Sequence, residues 1–230
     1  MSRGRWQQQE DELARALERR EIDDAQWFAG MASIFEAAYL RGGNPRAQSG
    51  FGGDEARWET ARRPVADAID SDGTFLDIGS ANGHLLERIV AWSSHRIEPF
   101  GLELVPALAE LARRRLPQWA DRFFVGNALT WEPPRRFDFV RTELVYVPPQ
   151  RRRVFLERLL GRIVEPGGRL IVCGYGSPRS GLRADPVRAI VRSHGFAPEL
   201  EREVEAPEGG GPIIELAVLR APSARASRAG

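Results

Sequence analysis

None of the chain's 33 basic residues is lysine; all are arginine. That excludes Schiff-base chemistry and a phosphate-binding P-loop lysine. GC-rich coding is the simple explanation of the bias. Cysteine is almost as scarce. Cys173 stands alone, so there is no internal disulfide and no cysteine-based zinc cluster. It lies in the apolar run RLIVCGY and reads as a buried, inert thiol. Three scattered histidines, His84, His95 and His194, give no metal-ligand spacing, and no metal is expected. No apolar run approaches membrane-spanning length, and the N-terminal MSRGRWQQQEDELARALERR lacks the apolar centre of a secretory signal. The expectation is a soluble cytoplasmic protein with no membrane partner. Neither sign of charge is in excess, the formal net charge being +1. The arginine clusters at 113–115 and 151–153 therefore read as solvated faces near helix ends rather than a nucleic-acid patch.

What is present suffices for a sizeable core: 230 residues, 42% of them hydrophobic, allow one domain with an N-terminal extension. Residues 8–20 read as a polar helix. Asp23 with Gln26 resembles a capping box, and Trp27, Phe28, Met31, Ile34, Phe35, Ala38 and Tyr39 then recur at helical spacing. Gly42-Gly43 ends that helix, and GGNPRAQSGFGG reads as a flexible loop. Asp54 caps a helix carrying Trp58, Ala61, Val65 and Ile69.

From residue 74 onward strand-like and helix-like runs alternate. Strands are expected at 74–78, 99–104, 122–126, 137–143 and 169–174, and helices at 82–93, 106–115, 149–163 and 184–194. Such alternation implies an α/β fold with a mostly parallel sheet covered on both faces. The end breaks the pattern: PELEREVEA and GPIIELAVLR, separated by PEGGG, read as a hairpin whose last strand runs antiparallel. The tail APSARASRAG is small and polar and reads as disordered.

The stretch TFLDIGSANGHLLERIV joins a strand to a helix through a glycine-rich turn. Gly79 and Gly83 allow a sharp turn and a close ligand, and the helix that follows directs free N–H groups at it. Asp77 ends the strand before the turn and can hold an ammonium or orient the turn. Glu103 ends the next strand, 24 residues after Gly79, where an acid can take both hydroxyls of a ribose. Together they read as an adenosine site. The dinucleotide fingerprint G-x-G-x-x-G is incomplete: the chain has Gly79, Ala81 and Gly83, then Leu86 where a third, close-packing glycine could be.

FLDIGSANG resembles motif I of the class I, Rossmann-like S-adenosylmethionine (SAM)-dependent methyltransferases, with Ala81 in place of the middle glycine. Glu103 matches that family's ribose-binding acid. FFVGNALTW resembles its adenine-contacting segment, with Asn127 where the family commonly has Asp. FDFVRTELVYVPP resembles the strand and loop facing the transferred methyl, and EPGGRLIVC the turn and strand after it. The resemblance covers about residues 55–220. It implies a doubly wound sheet, mostly parallel with an antiparallel C-terminal hairpin strand, over 54–220; an N-terminal helical cap and lid loop at 1–53; and a disordered tail at 221–230. It implies SAM as cofactor, held by Asp77, Gly79, Ser80, Ala81, Asn82, Gly83, Glu103, Leu104, Asn127, Ala128 and Thr142.

Methyl transfer from a sulfonium needs chiefly position and water exclusion, and a base only if the acceptor must lose a proton. Glu143 and Tyr146 are the candidate catalytic residues. Glu143 reads equally as base, as anchor for a substrate ammonium, or as a plain loop acid. His84 reads as a residue that caps or packs at the helix start. Amino-nitrogen methylases of adenine or glutamine carry [D/N/S]-P-P-[Y/F/W] in this loop; here Pro148-Pro149 come late and precede Gln150, which disfavours those substrates. The expected partner is a small-molecule acceptor, methylated on oxygen or nitrogen, and a homodimer is compatible with the sequence. Trp27, Met31, Phe35 and Ala38 read as a packed helix face rather than a pocket wall, and 41–53 as the lid. Alternatives are a SAM-binding protein that does not methylate, either a regulator or a SAM-rearranging enzyme, and a nicotinamide-dependent dehydrogenase, which Leu86 and the closing hairpin oppose.

Overall fold

The computed structural model describes residues 3–50 and 53–223. Most of the expected tail, and Phe51 and Gly52 of the expected lid, lie outside the described residues. Helices α1 (Arg3–Glu18) and α2 (Asp24–Tyr39) come first. The capping box at the start of α2 is present: the Gln26 N–H donates to Asp23 Oδ1 at 2.8 Å, and the Asp23 N–H to Gln26 Oε1 at 2.9 Å. The GGNPRAQSGFGG segment, expected as a flexible loop, instead holds a short 3-10 turn at Ala47–Ser49 in its described part. Asn44 Oδ1 accepts from the Ala47 N–H at 2.9 Å, and Arg46 pairs with Glu55 at 2.7 Å. Asp54 caps α3 (Glu55–Asp67) through the Arg57 N–H, also at 2.8 Å.

Seven strands follow: β1 (Gly73–Ile78), β2 (Ile97–Glu103), β3 (Phe123–Val125), β4 (Phe137–Glu143), β5 (Val164–Tyr175), β6 (Leu200–Glu205) and β7 (Pro212–Arg220). Their order is β3-β2-β1-β4-β5-β7-β6. The first five are parallel; β7 runs antiparallel to both β5 and β6, as the hairpin predicts. The chain winds outward from β1 through β2 and β3, then returns to place β4 on β1's other side. Helices α4 (His84–Trp92), α5 (Pro106–Arg115), α6 (Arg152–Arg158) and α7 (Val187–Ser193) cover the sheet. Side chains alternate along each strand, so two cores form. Leu76, Ile78 and Val140 share one with Trp27, Met31 and Phe35 of α2. Phe75, Phe139 and Ile171 share the other with Trp58 of α3 and Leu86 of α4.

Several expected boundaries shift: the first helix runs over Arg3–Glu18 rather than 8–20, and β2 begins at Ile97 rather than 99. Helix α4 starts at His84, not 82, because Gly83 holds φ 75° in the left-handed region. Helix α7 starts at Val187, not 184, because Pro186 restricts Asp185 to non-helical backbone. The helix expected at 149–163 is three pieces in succession: a 3-10 turn at Pro149–Arg151, α6, and a π segment at Leu159–Ile163. Strand β5 begins at Val164 rather than 169, taking the EPGG segment into the strand.

Ala81 is one of two non-glycine residues at positive φ among the described residues, at 46°. An L-residue in that region carries about 1–2 kcal/mol of strain, against about 0.5–1 kcal/mol of extra chain entropy lost by glycine. Ala81→Gly is therefore expected to stabilise the fold by about 0.5–1 kcal/mol, a Tm rise of roughly 1–4 °C in thermal unfolding. A lower Tm would mean that the buried methyl outweighs the strain.

Candidate active site

Strand β1 ends in Asp77 and Ile78, and the chain then reverses over the end of β2. The N–H groups of Gly79 and Ser80 both donate to the Leu102 carbonyl, at 2.8 and 3.2 Å, and the Gly83 N–H donates to Ser80 O at 2.8 Å. Glu103, 5% exposed, props the turn: its Oε2 accepts from the Ala81 N–H at 2.7 Å and its Oε1 from the Val105 N–H at 2.9 Å. Burial raises its carboxyl to about 7, against the pull of those two N–H groups. Above this turn opens a cavity of about 540 Å³. It sits at the carboxyl ends of β1, β2 and β4, where the strand order reverses.

Of the residues expected around the donor, Asp77, Gly79, Ser80, Ala81, Glu103, Leu104, Asn127 and Ala128 line this cavity. Asn82, Gly83 and Thr142 are not among its lining residues. Asn82 is structural: its Nδ2 donates to Pro45 O at 2.8 Å, and its Oδ1 accepts from the His84 N–H at 3.1 Å. It thereby ties the 44–50 segment to the turn. Gly83 is needed for packing, since a Cβ there would lie 2.7 Å from Leu116 and 2.9 Å from Phe123. Thr142 follows Arg141 and alternates to the opposite face of the sheet. Asn127 Oδ1, expected to accept from adenine, already accepts from the Leu129 N–H at 2.9 Å, which leaves it one lone pair.

Glu143 and Tyr146 both line the cavity and are joined to each other. The Tyr146 hydroxyl donates to Glu143 Oε1 at 2.7 Å. The link between them and Asp77 is Arg141, which sequence reasoning missed. It is 2% exposed and donates to Asp77 Oδ1 at 3.1 Å, to Glu143 Oε1, and to the Tyr146 hydroxyl at 3.4 Å. A cation inside the run FDFVRTELV was the available signal. Burial raises the Asp77 carboxyl to about 6 in spite of Arg141. The Arg141 guanidinium also lies 5.3 Å from the Tyr175 ring centroid, and Arg62 stacks on that ring at 3.4 Å.

The α2 stripe does both things the sequence allowed. Trp27, Phe28, Met31 and Phe35 are buried, and they also form the cavity wall, together with Tyr39. The packed-face expectation for Trp27, Met31 and Phe35 is thus incomplete, while Ala38 is half-buried and does not line the cavity. Glu10 and Asp11 of α1, Arg152 of α6, and Asp185 before α7 complete the wall, and none of them was anticipated. His84 packs on Trp58 with ring centroids 4.5 Å apart and is not among the cavity-lining residues. Burial lowers its pKa.

No family model matches the chain. A trans-aconitate 2-methyltransferase of Methylobacterium radiotolerans is 33% identical over 122 residues, which cover 50% of this chain and 45% of that protein. The chain thus spans less than half the length of that curated relative. Among solved structures, a Burkholderia thailandensis 1,6-didemethyltoxoflavin N1-methyltransferase with bound 1,6-didemethyltoxoflavin and S-adenosylhomocysteine superposes with a TM-score of 0.61 at 16% identity, over 88% of this chain and 92% of that one. The N-methyltransferase NodS of Bradyrhizobium japonicum WM9, in complex with S-adenosylhomocysteine, superposes with the same TM-score of 0.61 at 14% identity, over 84% and 98%. At such identities the likeness establishes the fold.

Proposed function

We propose that this chain, which has the fold of the class I SAM-dependent methyltransferases, binds SAM and transfers its methyl group to oxygen or nitrogen of a small molecule. The observation that carries the reading is one cavity with two kinds of wall: the Gly79–Ala81 turn with Glu103, and Glu143 with Tyr146. The residues present fit the cofactor. Glu103 keeps lone pairs for a ribose beyond those its two N–H partners use. Ser80, 3% exposed and cavity-lining, has a buried hydroxyl with no partner. Asp77 is the acid for the ammonium end, and Leu104, Asn127 and Ala128 are the wall for the base. SAM supplies an activated methyl on a sulfonium. The protein's own part is to hold the acceptor in line and to exclude water.

Helices α1 and α2 act in this reading as a cover over the cavity, and 41–50 as its lid, through Ser49 and Gly50 on the cavity wall. The partner is a small molecule, with no nucleic acid invoked. Among the described residues no helix is long and apolar enough to cross a membrane, which fits a cytoplasmic setting.

Glu143 acts here as an orienting acid, because its carboxylate already receives Arg141 and Tyr146. Glu143→Gln and Tyr146→Phe are expected to keep S-adenosylhomocysteine affinity within a few-fold. Methyl transfer to an acceptor found by screening phenols, amines and carboxylic acids with methyl-labelled SAM should fall by about 10–10²-fold, mostly through the acceptor KM. A fall in kcat alone, with a rate rising through one pKa in the parent, would make Glu143 a base instead. Full turnover by both variants would remove the pair from the site.

A further inference from the structure

The charge on the cavity wall is not balanced. Six carboxylates face four guanidinium groups. The Asp77–Arg141–Glu143 chain carries one net negative charge and Glu103 a second, while Glu10, Asp11 and Asp185 offset Arg62, Arg152 and Arg183. SAM, with a sulfonium, an ammonium and a carboxylate, returns one positive charge. Asp11 and Arg183 are exposed and cancel, so one negative charge among the buried and half-buried groups is then left for the acceptor to meet, and such groups do not leave a charge uncompensated without cost.

Two buried atoms of residues on this wall lack a partner. Glu10 Oε1 is buried and has no hydrogen-bond partner. Trp27, 4% exposed and on the same wall, has an indole N–H with none. The Glu10 carboxyl is pushed up to about 8, first by burial and then by the charges of Asp11, Asp185 and Glu143.

We propose that the acceptor is an arylalkylamine bound as its ammonium ion on Glu10, its ring against the α2 stripe of Trp27, Phe28 and Phe35 and an oxygen of its body accepting from the Trp27 indole. This rests on the donor reading above, whose net charge sets the balance. The aromatic wall adds cation–π attraction to the carboxylate. A carboxylate acceptor would use Arg152, whose Nε is also without a partner, but it would double the excess negative charge instead of cancelling it. Transfer to the amine forms one N–C bond and breaks the S–C bond, leaving its electron pair on sulfur. The ammonium has no lone pair, so it first gives one proton to an ionised carboxylate of this wall, and the free amine then attacks the methyl.

Tyramine and 4-hydroxyphenylacetate share a phenol ring and differ in the sign of their charge. Each is titrated calorimetrically into the full chain at pH 7, with and without S-adenosylhomocysteine. Tyramine is expected to bind and to displace the Glu10 proton, so its heat should change with the ionisation enthalpy of the buffer. Glu10→Gln should weaken tyramine by about tenfold or more and remove the buffer dependence, leaving S-adenosylhomocysteine affinity unchanged. Binding of 4-hydroxyphenylacetate in preference to tyramine, binding of neither, or equal tyramine affinity in Glu10→Gln would overturn the proposal. Failure of S-adenosylhomocysteine to bind, with tyramine still held by Glu10, would sink the donor reading and keep the amine site.

Discussion

Arg141→Met is expected to destabilise the protein by about 3–5 kcal/mol at pH 8, because it strands two carboxylates that share one buried cation. Arg141 is 2% exposed and reaches Asp77, itself 1% exposed, at 3.1 Å, and Glu143 as well. Asp77 already titrates near 6 with the guanidinium beside it, and without it the folded-state pKa rises further. A carboxyl with a raised folded-state pKa contributes stability that is fully present below its unfolded pKa and is lost as pH rises through the folded one. Parent and variant both hold Asp77 protonated near pH 5. The gap between them should therefore be smaller there and widen from about pH 6 to 8. Arg141→Met/Asp77→Asn should recover part of the loss at pH 8. Urea unfolding at the two pH values checks this; a loss below about 1 kcal/mol, or one independent of pH, would mean that water solvates the pair.

Gly79→Val should remove S-adenosylhomocysteine binding, by at least about 100-fold, and should also lower stability. Gly79 holds φ 79°, where a branched residue is strained. A Cβ there would lie 2.6 Å from the Tyr146 hydroxyl and closer still to its ring carbons. Because the valine variant carries both costs, Gly79→Ala in a Tyr146→Ala background separates them. Removing the ring removes the three nearest neighbours of the new methyl and leaves only the strain of an alanine at φ 79°, so the steric part of the stability loss should be recovered, while the ligand's path to the Gly79 backbone stays blocked. Isothermal titration on both variants reads the result, and normal affinity in the double variant would put the donor elsewhere in the cavity.

The turn was legible because a strand, an acid and spaced glycines have few other uses in sequence, and a left-handed backbone advertises itself through glycine. Ala81, which stands at a glycine position of the turn, keeps a left-handed φ of 46° all the same. Helix α5 and strand β4 fall at their expected bounds, each opened by a strong local signal: Pro106 at the start of the helix, and a polar loop with paired prolines before Phe137. Local signals also misled. The 149–163 run has one apolar periodicity but three hydrogen-bonding patterns, which periodicity does not distinguish.

Site residues divided the same way. That Glu143 and Tyr146 line the cavity was legible because they follow a strand's carboxyl end. Arg141 was not, because its meaning lies in its pairing with Asp77, 64 residues earlier, and that depends on β4 lying beside β1. Thr142 is not among the cavity-lining residues: sequence adjacency to Glu143 says nothing of which face of the sheet a residue takes. Glu10 and Asp185 reach the same cavity from elements remote in the chain, and no spacing rule joins them.

The central claim, that the turn and Glu103 hold an adenosylated sulfur compound, is tested most directly by calorimetric titration of S-adenosylhomocysteine and of NAD into the parent chain and into Glu103→Ala. S-adenosylhomocysteine should bind the parent at roughly micromolar Kd, about −8 kcal/mol. Glu103→Ala should weaken it by about ten- to hundredfold, from the loss of charge-assisted hydrogen bonds to the ribose. NAD should give no comparable heat. Tight NAD binding with no S-adenosylhomocysteine binding, or an S-adenosylhomocysteine affinity indifferent to Glu103, would contradict the account.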